Sequence, residues 1–294
     1  MITGKTKLLG VIGYPIEHSL SPVMHNAAIA RLGVDYVYLP FSIHPKDLKS
    51  AVNGFAAIGL QGFSITIPHK QAILPLLSEV TDVATAVGAV NTVWRTEAGW
   101  SGTNTDVEGF LAPLRELERD WSEAVAVILG NGGASRAVVA GCHQLGCAEI
   151  HVVGRDGEKL EEFLKSWMNS PLGINLKVHT WKNLPELLPN ANLLVNTTPV
   201  GMAPQVERSP LSPAEVDLLS THLIAYDLIY TPNPTLFLKQ AKEKGAIALD
   251  GLEMLVQQGA AALRIWLQQD VPVDVMRRSL QEYLGLPFSL SAIG

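Results

Sequence analysis

Apolar and polar positions along this chain switch repeatedly between two periods. Short apolar runs occur at residues 7–12, 36–41, 63–67, 89–94, 124–129, 149–153, 193–196, 223–227 and 246–249, and each has strand length. Between them the pattern lengthens to helical spacing at 22–32, 45–57, 107–117 and 136–145, and then at 252–269 and 273–284. Ser21-Pro22 reads as a helix start, with Ser21 at the N-cap and Pro22 at the first helical position; Gly33 closes that helix. Strands alternating with helices predict an α/β fold of mostly parallel sheets. The run 124–129 is apolar at every position, as in a strand covered on both faces.

A length of 294 residues predicts two domains. The boundary falls near residue 107: a first domain over 1–107, a second over 108–246, and terminal helices over 247–294 that return to the first. Apolar residues make up 47% and charged residues 17%, which excludes a disordered chain. A net charge of -6 with no basic run argues against a nucleic-acid partner. No apolar stretch reaches the ~18 residues that a membrane span needs. Cys142 and Cys147 stand five apart in a segment that reads as helix, so they are expected on different faces, as apolar core residues. They predict neither a disulfide framework nor a metal site, and the eight histidines show no metal spacing. The first residues show no signal or transit pattern, so a cytoplasmic protein is expected.

The strongest local signal is Gly130-Asn131-Gly132-Gly133-Ala134-Ser135, between an apolar strand and a helix. A glycine-rich turn in that setting is a dinucleotide fingerprint: the glycines allow a tight turn and close approach of a pyrophosphate to the helix N-terminus. The next strand ends in Gly154-Arg155-Asp156. Arg155 suits the 2′-phosphate of NADP, while Asp156 would repel that phosphate or bind a ribose hydroxyl.

Polar clusters interrupt the first domain. His18-Ser19-Leu20-Ser21-Pro22 places two hydroxyls near a helix start, where they suit a carboxylate; Ser21 serves equally well as a cap. Ser64 and Thr66 share a strand face ahead of Pro68-His69-Lys70. Gly88-Ala89-Val90-Asn91-Thr92 and Gly102-Thr103-Asn104-Thr105-Asp106 follow. With Asn196-Thr197-Thr198-Pro199-Val200-Gly201-Met202 and Asp250-Gly251-Leu252-x-Met254-Leu255-Val256-x-Gln258, these ordered motifs resemble the shikimate dehydrogenase family from residue 8 to about 283.

The resemblance implies an N-terminal substrate domain and a Rossmann-type doubly wound NADP domain with a cleft between them. It also implies NADPH-dependent reversible reduction of 3-dehydroshikimate to shikimate. Lys70 and Asp106 match the catalytic pair. Ser19 and Ser21 match the carboxylate pair, and Thr66, Asn91, Tyr230 and Gln258 match further substrate positions. Gly130, Asn131, Gly132, Gly133 and Ala134 match the pyrophosphate turn, and Arg155 the reader of the adenosine phosphate. Asp82, Leu228 and Gly251 match positions near the nicotinamide. Asn131, the Gly154-Arg155-Asp156 run and Leu228 depart from the usual family residues. By spacing alone Lys70 and Asp106 could form an ordinary ion pair, and His69 is a rival proton donor. A small-molecule substrate is the expected partner, with a homodimer left open. Two other readings stand beside this one. One is a quinate/shikimate dehydrogenase that also accepts NAD, and the other a non-catalytic NADP-binding regulator.

Overall fold

The computed structural model describes residues 2–168, 170 and 172–288. Its elements run β1 (Lys7–Gly13), α1 (Ser21–Leu32), β2 (Tyr36–Ser42), α2 (Leu48–Ala57), β3 (Leu60–Ile65), β4 (Glu79–Val80), α3 (Asp82–Val87), β5 (Thr92–Thr96), β6 (Gly99–Thr103) and α4 (Asp106–Arg115). They continue with β7 (Val125–Leu129), α5 (Gly133–Leu145), β8 (Glu149–Gly154), α6 (Gly157–Met168), β9 (Leu176–Thr180), α7 (Leu184–Leu187), β10 (Leu193–Asn196), α8 (Pro213–Val216), β11 (Ile224–Asp227), α9 (Leu236–Glu243), β12 (Ile247–Leu249), α10 (Leu252–Leu267) and α11 (Val273–Leu284). The described residues divide into two compact units, one of residues 2–109 with 256–288 and the other of residues 110–255.

The first unit holds a six-stranded sheet in the order β2-β1-β3-β5-β6-β4. β2, β1 and β3 are parallel, and β4 is parallel to β6. β5 runs antiparallel to both β3 and β6. The mostly parallel sheet is therefore present, with an antiparallel insertion that the apolar pattern did not announce. Its cause is local: only Glu97 and Ala98 separate Thr96 from Gly99, and a two-residue connection can join only antiparallel strands. One sheet face sends Ile12, Phe63, Ile65 and Val93 against Leu48, Val52 and Phe55 of α2. On the other face the Trp266 indole lies so close over Gly62 that a Cβ there would stand 2.2 Å from its Nε1. Trp266 Nε1 donates to the Val93 carbonyl at 2.9 Å, which fixes α10 to the sheet.

The second unit holds a wholly parallel sheet in the order β12-β11-β10-β7-β8-β9. This is the doubly wound Rossmann order, with the strand sequence reversing between β7 and β10. Leu129, Leu194 and Ala225 face Phe237 and Leu238 of α9 on one side. α5 is clamped to α6 by Arg136, whose guanidinium lies 5.3 Å from the Phe163 ring and 5.2 Å from the Trp167 ring.

Two local expectations are corrected. Ser21 is not an N-cap: Leu20 occupies that position without a side-chain cap, and Ser21 is the first helical residue with Pro22 behind it. The Ser21 hydroxyl is thereby released from capping. The cysteines are not on different faces either. Cys147 lies beyond the end of α5, where Gly146 takes a left-handed φ of 83° and turns the chain back. The Cys147 N–H donates to the Cys142 carbonyl at 3.1 Å and the Gly146 N–H to that of His143 at 3.0 Å. This double closure is the Schellman motif, which sets the first and last residues against each other. The two thiols interact, and burial helps raise the pKa of Cys142.

Candidate active site

β3 ends at Ile65, and the chain leaves the sheet through Thr66, a cis Ile67–Pro68 bond and His69 to reach Lys70. The Val90 N–H donates to the Lys70 carbonyl at 2.8 Å, which fixes this turn to the start of β5. Lys70 Nζ then donates to Asp106 Oδ2 at 2.5 Å. Both side chains are largely withdrawn from water, at 15% and 7% exposure, so this is no ordinary surface ion pair.

Asp106 opens α4, and its own N–H donates to Asn104 Oδ1 at 3.0 Å. Its second carboxylate oxygen accepts from Asn91 Nδ2 at 2.8 Å. Asn91 Nδ2 also lies 3.4 Å from Gln258 Oε1 of α10, while Asn91 Oδ1 accepts the Thr105 N–H at 2.7 Å. One buried asparagine thus links Lys70's partner, α10 and the start of α4. With each Asp106 oxygen engaged, the carboxylate cannot rotate away from the ammonium.

Lys70, Asp106, Asn91 and Gln258 are thereby brought into one hydrogen-bonded network. Ser19 and Ser21 lie before and at the start of α1, where Ser19 Oγ accepts the Ser21 N–H at 3.4 Å. Thr66 sits beside the end of β1, with its methyl against the position a Cβ of Gly13 would take. His69 is buried, and its Nε2–H donates to the Ile43 carbonyl at 2.7 Å, which ties the ring to the end of β2. Asp82 opens α3, exposed, behind its cap Thr81. Among the described residues no group of three or more His, Cys, Asp or Glu could hold a metal ion.

In the second unit the glycine turn follows β7. Gly130 has a φ of 104°, which a side chain would strain, and a Cβ there would stand 2.7 Å from Thr197 Oγ1. Gly132 precedes α5 with no side-chain cap, and Ser135 Oγ donates back to the Gly132 carbonyl at 2.6 Å. A Cβ on Gly132 would meet nothing within 4 Å, so the chain is uncrowded on that side of the turn. A helix start without a side-chain cap fits an anionic pyrophosphate. Gly133 and Ala134 form the first turn of α5, and Asn131 Oδ1 lies over Gly154.

Arg155 is exposed at the end of β8. Asp156 follows it at the start of α6. Its Oδ1 accepts the N–H groups of Glu158 and Lys159 at 3.1 and 3.2 Å, and its Oδ2 lies 3.8 Å from Lys159 Nζ. It caps α6, and its charge is compensated there. Leu228 and Gly251 meet through backbone: a Cβ on Gly251 would stand 2.2 Å from the Leu228 carbonyl oxygen. Tyr230 belongs to this second unit, two residues beyond Leu228.

Sequence reasoning passed over Asp227, fully buried at the end of β11. Its Oδ1 accepts from Asn196 Nδ2 at 3.0 Å and the Ile229 N–H at 3.1 Å, and its Oδ2 from Thr235 Oγ1 at 2.7 Å. Burial, the largest effect, pushes its pKa up to about 7. Its apolar flanks disguised it as the end of an ordinary strand. It ties the segment carrying Leu228 and Tyr230 to the end of β10.

The shikimate dehydrogenase substrate binding domain model matches residues 11–93, and the shikimate 5′-dehydrogenase C-terminal domain model matches residues 251–281. A shikimate dehydrogenase (NADP(+)) from Trichormus variabilis is 69% identical over 97% of this chain and 100% of its own length. The chain belongs to the shikimate dehydrogenase family. A solved shikimate dehydrogenase from Aquifex aeolicus superposes with a TM-score of 0.86 at 40% identity, covering 96% of this chain and 100% of that one. Another, from Thermus thermophilus in complex with NADP(H) and shikimate, has a TM-score of 0.82 at 32% identity, covering 94% and 99%. The first family model includes Ser19, Ser21, Thr66, Lys70, Asp82 and Asn91, and the second Gly251 and Gln258. Asp106, the glycine turn, Arg155, Leu228 and Tyr230 lie between the two matched stretches, and their roles rest on the motifs and geometry above.

Proposed function

We propose that the chain reduces the ketone of 3-dehydroshikimate to the hydroxyl of shikimate with NADPH, reversibly, on the cytoplasmic route to the aromatic amino acids. It is an NADP-dependent oxidoreductase. The observation that carries this reading is the withdrawn Lys70–Asp106 pair, held through Asn91 to Gln258. Such an arrangement serves proton transfer at one fixed point. NADPH, when bound, supplies the hydride.

Negative charge develops on the carbonyl oxygen during reduction, and Lys70 Nζ gives that oxygen a proton; such help is worth roughly 10² to 10⁴ in rate. Asp106 holds the ammonium in place. In the oxidation direction the Lys70 amine takes the proton back. Ser19, Ser21 and Thr66 bind the substrate carboxylate end, while Asn91, Tyr230 and Gln258 bond to ring hydroxyls. Residues 1–107 with the C-terminal helices serve as the substrate domain, and residues 108–246 bind NADP. Gly130, Asn131, Gly132, Gly133 and Ala134 take the pyrophosphate, and Arg155 pairs with the 2′-phosphate. Leu228 and Gly251 lie along the nicotinamide, with Asp82 near its end. Asp156 has one carboxylate oxygen engaged as a helix cap, which holds its charge toward α6.

Lys70→Ala tests the reading. Turnover of shikimate with NADP should fall by about 10² or more while shikimate binding, read by calorimetry, changes by less than about fivefold. Turnover within about threefold of the parent would remove Lys70 from the chemistry.

A further inference from the structure

Tyr38 stands in β2, opposite Leu9 of β1, and is 1% exposed. Leu9 and Val11 share a face, and Val11 pairs with Ser64 of β3, so Tyr38 and Ser64 lie on the same side of the sheet. The Tyr38 ring stacks on the His25 imidazole, with centroids 4.1 Å apart and planes at 7°, and touches Trp266 at 5.9 Å. His25 Nδ1–H donates to the Ser21 carbonyl at 2.8 Å. The aromatic cluster therefore sits directly under the first turn of α1.

Among the described residues the phenol oxygen at the end of this buried ring closes no hydrogen bond of good geometry. A buried hydroxyl without a partner is costly, and folded proteins rarely keep one without use. The hydroxyls of Ser64 and Ser21 face it and partly offset the rise that burial imposes on its pKa. With that rise the phenol stays a neutral donor throughout the working pH range.

We propose that Tyr38 is a positioning residue for carboxylate recognition: when the substrate carboxylate engages Ser21, the phenol donates its proton to Ser21 Oγ and so directs the Ser21 proton outward to the substrate. Ser64 completes the chain by donating to the phenol oxygen. Each hydroxyl then both gives and receives one bond, and the three polarise one another toward the anion. His25 holds the same residue from its carbonyl side, so Ser21 is fixed at both ends. The release of Ser21 from capping is what leaves its hydroxyl available for this use. The inference rests on the assignment of Ser21 to the substrate carboxylate.

The test is Tyr38→Phe, which keeps the stacked ring and removes only the hydroxyl, beside Ser21→Ala, the double variant and Ser64→Ala. Tyr38→Phe should raise the KM for shikimate about tenfold, the scale of one bond to a charged group, with kcat within about threefold and the KM for NADP unchanged. The double variant should be no worse than Ser21→Ala alone, because Tyr38 acts through that hydroxyl. Ser64→Ala should raise the same KM about threefold. If Ser21→Ala raises KM while Tyr38→Phe and Ser64→Ala leave it unmoved, or if the Tyr38 and Ser21 effects simply add, the relay is overturned. If Ser21→Ala itself leaves KM unmoved, the carboxylate assignment fails and the relay with it.

Discussion

Replacing Asp227 by Asn should turn a pH-dependent cost into a constant. In the native chain the Asp227 pKa is raised from 3.8 to about 7, chiefly by burial. The folded protein therefore holds a proton there that the unfolded chain has lost between about pH 4 and 7. Stability from this group is fully present below pH 4 and declines as pH rises through about 7. The interval from 3.8 to about 7, at about 1.4 kcal/mol per pH unit, is on the order of 4 kcal/mol. Asn is isosteric and keeps the Oδ1 bonds from Asn196 and the Ile229 N–H, while the Thr235 hydroxyl, which donates to Oδ2 in the parent, must turn its proton away and accept from Nδ2 instead.

The parent alone would conceal this slope. His25, buried and lowered to about 4, is neutral in the fold, and its contribution is lost as pH falls from 6.5 toward 4, the opposite direction. The difference between variant and parent cancels His25. Urea unfolding followed by circular dichroism at about pH 4 and pH 8 should show the Asp227→Asn stability, relative to parent, rising by about 3 to 4 kcal/mol across the interval. A difference that stays flat within about 1 kcal/mol would refute the buried, protonated carboxyl.

Two further outcomes follow from the geometry. Arg155→Ala should weaken NADP binding by about tenfold or more and leave NAD within about twofold, while Asp156→Ala should cost about 1 kcal/mol of stability as a lost cap; calorimetric titration with both dinucleotides and thermal melts read the two effects. Gly62→Ala drives a methyl into the Trp266 indole and breaks its bond to Val93, so it should destabilise by about 2 to 4 kcal/mol and shift Trp fluorescence, an outcome contradicted by a melting curve like the parent's.

Much of this architecture was legible because buried strands and capped helices leave periodic marks. α11 begins and ends where its pattern does, at Val273 and Leu284, with Gly285 in the left-handed region. The hairpin joining β5 to β6 was not legible, because Trp100, Ser101 and Gly102 form no apolar run that would mark them as the partners of Arg95, Trp94 and Val93 across the two-residue turn. Asp156 shows the same limit within the site: a carboxylate beside Arg155 reads as a ligand contact alone, while the helix behind it also uses one of its oxygens as a cap. Tyr38 carried no motif at all; its position became informative only once β1 and β3 placed Ser64 and α1 beside it.

The first unit is made from two stretches of chain with the entire second unit between them. A ribosome releases them in order. When residue 109 emerges, the sheet already exists in sequence, but Gly62 still lacks the indole that covers it, and α1 lacks α11. At about 5 to 20 residues per second, the intervening stretch takes roughly 7 to 30 s to synthesise. During that interval the N-terminal half presents an unfinished apolar face, while the second unit is continuous and able to close by itself. The middle of the nascent chain therefore matures before its beginning. Chaperone occupancy should concentrate on nascent chains of intermediate length and fall only once the last helices are free to dock.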